Sequence, residues 1–184
     1  MIIVQELSLK GLKLISPKKF EDSRGFFFES YREDDYKLNG IIGHSNWVQE
    51  NHSRSLQRVI RGLHYQKTPG QTKLVRCANG AIIDVVVDLR PDSSTFGQHE
   101  KVFLDGHSND QLLVPVGFGH GFVTLSANAD VLYKVDSYYN HSEEKTLQWD
   151  DPDLNINWEI NDPIVSDRDK MGQSFVEFKR EYGL

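Results

Sequence analysis

Residues 61–66 read Arg61-Gly-Leu-His-Tyr-Gln66, and from residue 73 the chain runs Lys73-Leu-Val-Arg-Cys-Ala78 before stopping at Asn79-Gly80. Short apolar runs ended by turn residues read as strands. This stretch places one histidine, His64, and one lysine, Lys73, on β-structure where a small ligand can meet both. An imidazole of near-neutral pKa can take a proton, and a buried ammonium can steady the negative charge that results. The pair suggests proton abstraction beside a carbonyl.

Outward from this stretch, strand signals dominate from about residue 20 to 137. Examples are Gly25-Phe-Phe-Phe-Glu-Ser-Tyr31, Ala81-Ile-Ile-Asp-Val-Val-Val-Asp-Leu89, Gln111-Leu-Leu-Val-Pro115, Gly121-Phe-Val-Thr-Leu125 and Val131-Leu-Tyr-Lys-Val-Asp136. Such spacing predicts a mainly β protein, an antiparallel sandwich or barrel. Helix signals fall around Arg32 to Leu38 and after Ser166, where Ser-Asp-Arg-Asp reads as a capped start. The tail from Gly172 to Leu184 reads as a short helix or a loose end.

Asn79-Gly80 has the composition of a two-residue hairpin turn. Counting back from it, Ala78 pairs with Ala81 and Val75 with Asp84. Lys73, Val75, Cys77, Ile82, Asp84, Val86 and Asp88 then share one face, with Leu74, Arg76, Ile83, Val85 and Val87 on the other. Lys73 and Asp84 become diagonal neighbours. They form either a structural ion pair on a solvated face or a polar patch in a barrel mouth, where Asp84 orients Lys73 toward a ligand.

At 184 residues the chain predicts one domain, and its 38% hydrophobic content and 11% aromatics place it among globular proteins. A net charge of -6 argues against general nucleic-acid binding. The start, Met-Ile-Ile-Val-Gln-Glu, has neither the basic flank nor the long apolar core of a signal peptide or membrane span, so a cytoplasmic protein is expected. The single cysteine, Cys77, excludes an intrachain disulfide and reads as a packing residue.

The segment Val114-Pro-Val-Gly-Phe-Gly-His120-Gly-Phe122 contains Pro-x-Gly-x-x-His, which resembles the second motif of the cupin superfamily. In metal-binding cupins that histidine joins a His-x-His and a glutamate. Here His64 stands alone, with Gly62 and Gln66 at the neighbouring ligand positions, so no metal is expected. His120, between two glycines, reads as a site residue or a hydrogen-bonded core histidine. Tyr133 alternates with apolar residues and faces either the core or a ligand; a phenol of lowered pKa can donate a proton to a carbanion.

Taken together, the motifs resemble the dTDP-4-dehydrorhamnose 3,5-epimerases along almost the whole chain. The matching stretches include Asp22-Ser-Arg-Gly-Phe-Phe-Phe-Glu29, Gln49-Glu-Asn-His-Ser53, Val59 to Gln66, Gln71-Thr-Lys-Leu-Val75, Asp84 to Arg90, Pro115 to Phe122, Tyr133-Lys134 and Trp149-Asp-Asp-Pro152. The resemblance implies a cupin jelly roll, a homodimer, no metal and no diffusible cofactor. The substrate it implies is a nucleotide-linked 4-keto-6-deoxyhexose, whose ketone acidifies the protons at C3 and C5. By motif position His64 is the base and Asp169 its paired carboxylate. Lys73 stabilises the enolate oxygen, and Tyr133 delivers a proton to the opposite face.

For binding, the resemblance assigns Arg24, Glu29, Gln49, Glu50, Asn51, Arg61, His120, Glu144 and Arg168 to sugar, phosphate or base contacts. It assigns Tyr139 to stacking on the base and Phe20 to an apolar contact across the dimer. Three departures stand out. Glu50 replaces the usual Asp, Arg168 replaces a common Lys, and strict alternation sets Arg61 and His64 on opposite faces unless Gly62 permits a bulge. Neighbouring alternatives are an epimerase acting at one centre only, a sugar 3,4-ketoisomerase, and a non-catalytic sugar-binding cupin.

Overall fold

The computed structural model describes residues 2–41 and 46–184. The first strands are β1 (Ile2–Glu6), β2 (Lys13–Pro17), β3 (Phe20–Asp22) and β4 (Gly25–Phe27), followed by helix α1 (Glu33–Leu38). Then come β5 (Gln49–Leu56), β6 (Val59–Gln66), β7 (Lys73–Asn79), β8 (Ala81–Asp88), β9 (His99–Asp105), β10 (Gln111–Val114), β11 (Phe118–Thr124) and β12 (Asn128–Val135). The chain ends with β13 (Glu144–Thr146), β14 (Ile164–Val165), α2 (Asp167–Lys170) and α3 (Phe175–Glu181).

The expected mainly β architecture holds, with antiparallel pairing throughout except for β14, which runs parallel to β6. One sheet has the order β1-β2-β10-β7-β12-β5, and a second has β13-β6-β11-β8-β9 with β14 alongside β6. The sheets face each other over one core. Val75, Cys77, Leu112, Val114 and Val131 from the first meet Ile82, Val86, Val102, Leu104, Phe118 and Phe122 from the second. Burial pushes the Cys77 thiol up to about 11, which keeps it a neutral packing group.

Both outer faces are covered in part. Helix α1 lays Tyr36 against Ile15, Leu74 and Leu113 of the first sheet. The C-terminal segment lays Leu154, Trp158, Phe175 and Phe178 against Ile83, Val85 and Val87 of the second. Strand β8 is therefore buried on both faces, and its apolar run is nearly unbroken for that reason. The tail left open above is helix α3. Ser174 caps it, and the side chain of Glu177 reaches back to the Ser174 backbone.

Two expectations need correction. Asn79-Gly80 closes no hairpin: β7 pairs with β10 and β12, and β8 with β9 and β11. A two-residue turn needs positive φ at both positions. Here only Gly80 has it, at +79°, while Asn79 stays in the β12 ladder. The dipeptide instead carries the chain from one sheet to the other. Lys73 and Asp84 thus point inward from opposing sheets and are not cross-strand neighbours. The second correction is at Gly25 to Tyr31, where only Gly25–Phe27 is strand, forming a small hairpin with β3.

No described helix is long and apolar enough to cross a membrane. The loop after β8 is tied by Asp88, which is fully buried. Its carboxylate accepts hydrogen bonds from the Arg90 backbone and guanidinium, from Ser93 Oγ at 2.6 Å and from Thr95 Oγ1 at 2.6 Å. Burial alone pushes such an acid up, but these donors outweigh it and hold Asp88 at about 2. Asp88→Asn should lower unfolding stability by about 3 kcal/mol at pH 7, read by urea unfolding. Because the folded pKa lies below the unfolded value, the wild-type advantage is present above about pH 4 and fades as pH falls toward 2. An equal advantage at both pH values would contradict this account.

Candidate active site

Strand β6 carries two of the expected site residues, and its ladder with β11 has a one-residue irregularity. His64 pairs with His120 and Arg61 with Phe122, so three steps on β6 match two on β11. The extra residue is a bulge, and it turns Arg61 and His64 to the same side. Gly62 makes it possible. Its φ is +110°, and a Cβ there would lie 2.6 Å from the His120 carbonyl oxygen and 2.7 Å from Gly121 Cα.

His64 Nε2 lies 2.6 Å from Asp169 Oδ1. Asp169 sits in α2, where its backbone N–H donates to the capping Ser166 Oγ at 3.1 Å. The parallel pairing of β14 with β6 brings α2 there. Burial pushes Asp169 up, but hydrogen bonds from His64, from the Gly62 N–H and from Ser166 overcome it and hold the acid below the usual range. It is an ionised partner that orients the imidazole and can stabilise an imidazolium.

Lys73 opens β7 on the facing sheet, is buried, and donates from Nζ to the His64 carbonyl at 3.3 Å. Burial pulls its pKa down to about 8, with Glu144 and Asp84 opposing the fall. His120 donates Nε2–H to Asp84 Oδ2 at 2.9 Å. Burial lowers its pKa against the pull of Asp84, so the ring is neutral. Tyr133 in β12 is raised rather than lowered, by burial first and then by Glu144. The phenol therefore holds its proton, and the lowered pKa named above as a condition for donation is not met.

These groups surround a cavity of about 240 Å³, lined by Asn51, Arg61, His64, Lys73, His120, Tyr133, Tyr139, Glu144 and Arg168 among the expected residues. Arg61 is steadied by Nε donating to Ser55 Oγ at 2.8 Å. Glu144 and Arg168 form an ion pair beside the exposed Tyr139. Gln49 braces this end, donating to Asn51 Oδ1 at 2.8 Å and accepting from the Tyr139 N–H at 3.2 Å. Among the described residues no three His, Cys, Asp or Glu side chains gather to hold a metal ion.

Four expected residues lie elsewhere in this chain. Glu50 is on the outward face of β5, one residue from Asn51, and pairs with Lys134 at 3.1 Å. Phe20 and Arg24 belong to the β3–β4 hairpin, where Phe20 is 55% exposed and Arg24 pairs with Asp22 at 2.6 Å. Glu29 pairs with Arg32 near α1. Conversely, Ser53, Gln71, Phe122 and Val131 line the cavity without having been singled out. Ser53 and Val131 were within reach of period-two counting from Asn51 and Tyr133. Gln71 lies in a loop, where no period applies.

Two facing sheets with a His64–Asp169 pair, a buried lysine and a tyrosine around one cavity have the make-up of an isomerase of the cupin-like class. The family model for dTDP-4-dehydrorhamnose 3,5-epimerase matches residues 6–177. The dTDP-4-dehydrorhamnose 3,5-epimerase of Pseudomonas aeruginosa is 43% identical over 173 residues, covering 93% of this chain and 94% of its own. The Legionella pneumophila dTDP-6-deoxy-D-glucose-3,5-epimerase, in complex with dTDP-4-keto-L-rhamnose, superposes with a TM-score of 0.93 at 39% identity, covering 98% of this chain and 96% of the other. The Bacillus anthracis epimerase, with TDP and PPi bound, gives 0.91 at 43% identity, covering 95% and 100%. The chain belongs to the dTDP-4-dehydrorhamnose 3,5-epimerase family.

Gly62→Ala should leave a β-rich fold by circular dichroism yet lower kcat/KM by about 100-fold or more, because the bulge cannot hold a Cβ. Wild-type activity in that variant would show that Arg61 and His64 do not depend on the close approach.

Proposed function

We propose that this protein inverts C3 and C5 of dTDP-4-dehydro-6-deoxy-D-glucose, giving dTDP-4-dehydro-L-rhamnose for dTDP-L-rhamnose synthesis. The observation that carries the reading is the arrangement of base and phenol: His64 belongs to one sheet and Tyr133 to the sheet that faces it, across one cavity. A sugar ring held between the sheets meets a base on one face and a proton donor on the other. His64 takes the proton from carbon, and the electron pair moves into the carbonyl to make an enolate. Lys73 stabilises the enolate oxygen at C4. Tyr133 returns a proton to the opposite face, and that inverts the centre. The tyrosinate then regains a proton, and the imidazolium releases one.

At the cavity mouth Tyr139 suits stacking on the base, and Arg168 and Arg61 suit phosphate and sugar oxygens. Kinship with proteins that hold TDP or dTDP-4-keto-L-rhamnose supports this substrate class. The protein acts as a cytoplasmic homodimer in this reading. The exposed Phe20, Phe26 and Phe27 support that, as apolar groups that a second copy can cover. So do Arg24 and Glu29, whose assigned substrate contacts lie out of reach of their own cavity.

In deuterated water the enzyme should place deuterium at both C3 and C5 of the substrate, read by NMR. His64→Asn should place it at neither while binding dTDP within about 2-fold of wild type. Tyr133→Phe should lose inversion more than exchange. Normal turnover by the His64 variant removes it from the mechanism, and deuterium at C3 alone marks a single-centre epimerase.

Lys73 must be an ammonium to act on the enolate. It is protonated below its pKa of about 8 and neutral above it, so kcat should fall as pH rises through about 8. A pH profile that stays level to about pH 9.5 would separate catalysis from the charge on Lys73.

A further inference from the structure

The cavity wall contains a second histidine–carboxylate pair that the proton transfers above do not use. His120 and His64 stand opposite each other on adjacent strands, and each bonds an aspartate through Nε2. Their exposures differ. The His64 side chain is 27% exposed, whereas those of His120 and Asp84 are 8% and 0%.

Asp84 is thus sealed inside, and one of its two oxygens is bare: Oδ1 has no hydrogen-bond partner among the described residues. Its one hydrogen-bonded partner, His120, is a neutral ring. A buried carboxylate in that position is costly unless a cation stands close by. Lys73 is buried in the facing sheet; burial lowers its pKa, and the negative charges of Glu144 and then of Asp84 oppose that fall.

Of the titratable and charged groups that line the cavity with Lys73, His64 and Arg61 of β6, His120 of β11, Tyr133 of β12, Tyr139 and Arg168 of α2 bring no negative charge. Glu144 of β13 does, but it is shared with Arg168 at the mouth. Asp84 of β8 has no Lys or Arg within ion-pair distance among the described residues.

We propose that Asp84 is a positioning residue for the epimerase reaction, fixing the His120 ring in the cavity wall and supplying the counter-charge that keeps the Lys73 ammonium in place for the C4 oxygen. The inference rests on the epimerase reading, in which that ammonium meets the enolate. Both groups are buried, and charge in a medium less polarisable than water acts over a longer range, so the effect does not require direct contact.

Asp84→Asn keeps the shape and a hydrogen-bonding oxygen but removes the charge. It should lower kcat by about 10-fold to 100-fold, leave KM within about 2-fold, and move the alkaline limb of the kcat profile down by about one pH unit. Wild-type kcat, or a lower kcat with an unmoved limb, overturns the proposal in favour of packing alone.

A second measurement needs neither turnover nor the Asp84 variant. NMR titration of ε-carbon-labelled lysine, with Lys73 assigned by loss of its signal in Lys73→Met, is compared between wild type and Glu144→Gln. With Asp84 still present, Lys73 should titrate within about one pH unit of wild type. A larger fall shows that Glu144 alone holds the charge, and the proposal fails. If wild type exchanges no deuterium at either carbon, the epimerase reading falls instead, and the titration still decides whether Asp84 holds the charge.

Discussion

The close approach of β6 to β11 at Gly62 is the constraint on which the site depends. With a Cβ absent, the Gly62 backbone packs against the His120 carbonyl and Gly121, and one extra residue fits into the ladder. That residue puts Arg61 and His64 on one wall, and the freed Gly62 N–H donates to Asp169 at 3.3 Å. One backbone irregularity therefore serves the proposed base His64, its carboxylate partner Asp169 and the guanidinium of Arg61.

The second organising fact is the burial of ionisable groups between the sheets, Lys73, Asp84, His120 and Asp169 among them. Charge there is expensive, and the protein answers with pairs: His64 with Asp169, His120 with Asp84, Glu144 with Arg168. Lys73 is the exception, an ammonium whose one hydrogen bond here is to a carbonyl. Its lowered pKa follows from that setting, and so does its use, since a poorly solvated cation binds a developing oxyanion strongly. The raised Tyr133 fits the same physics, because a buried phenol keeps its proton, as the proposed donor role needs.

Much of this was legible from residues alone. Most of the strand runs, the capped start at Ser166 and the helix near Leu38 follow from local chemistry and are present, the run from Gly25 to Tyr31 only as far as Phe27. His64, Lys73, His120 and Tyr133 do come from four separate strands. The Asn79-Gly80 hairpin failed because local turn composition cannot tell a hairpin from a step between sheets. What decides is which strand is waiting as a partner, here β12 for Asn79.

The sequence by itself determined most element types, the alternation of faces along unbulged strands and the inventory of chemical groups, because these follow from periodicity and side-chain chemistry. Tertiary structure decided the rest. It turned Arg61 beside His64, put the Asp84 hydrogen bond on His120, set Glu50 outward, and left Phe20, Arg24 and Glu29 away from the cavity of their own chain. These depend on strand partners far apart in the chain, and no local spacing encodes which two distant segments will lie side by side.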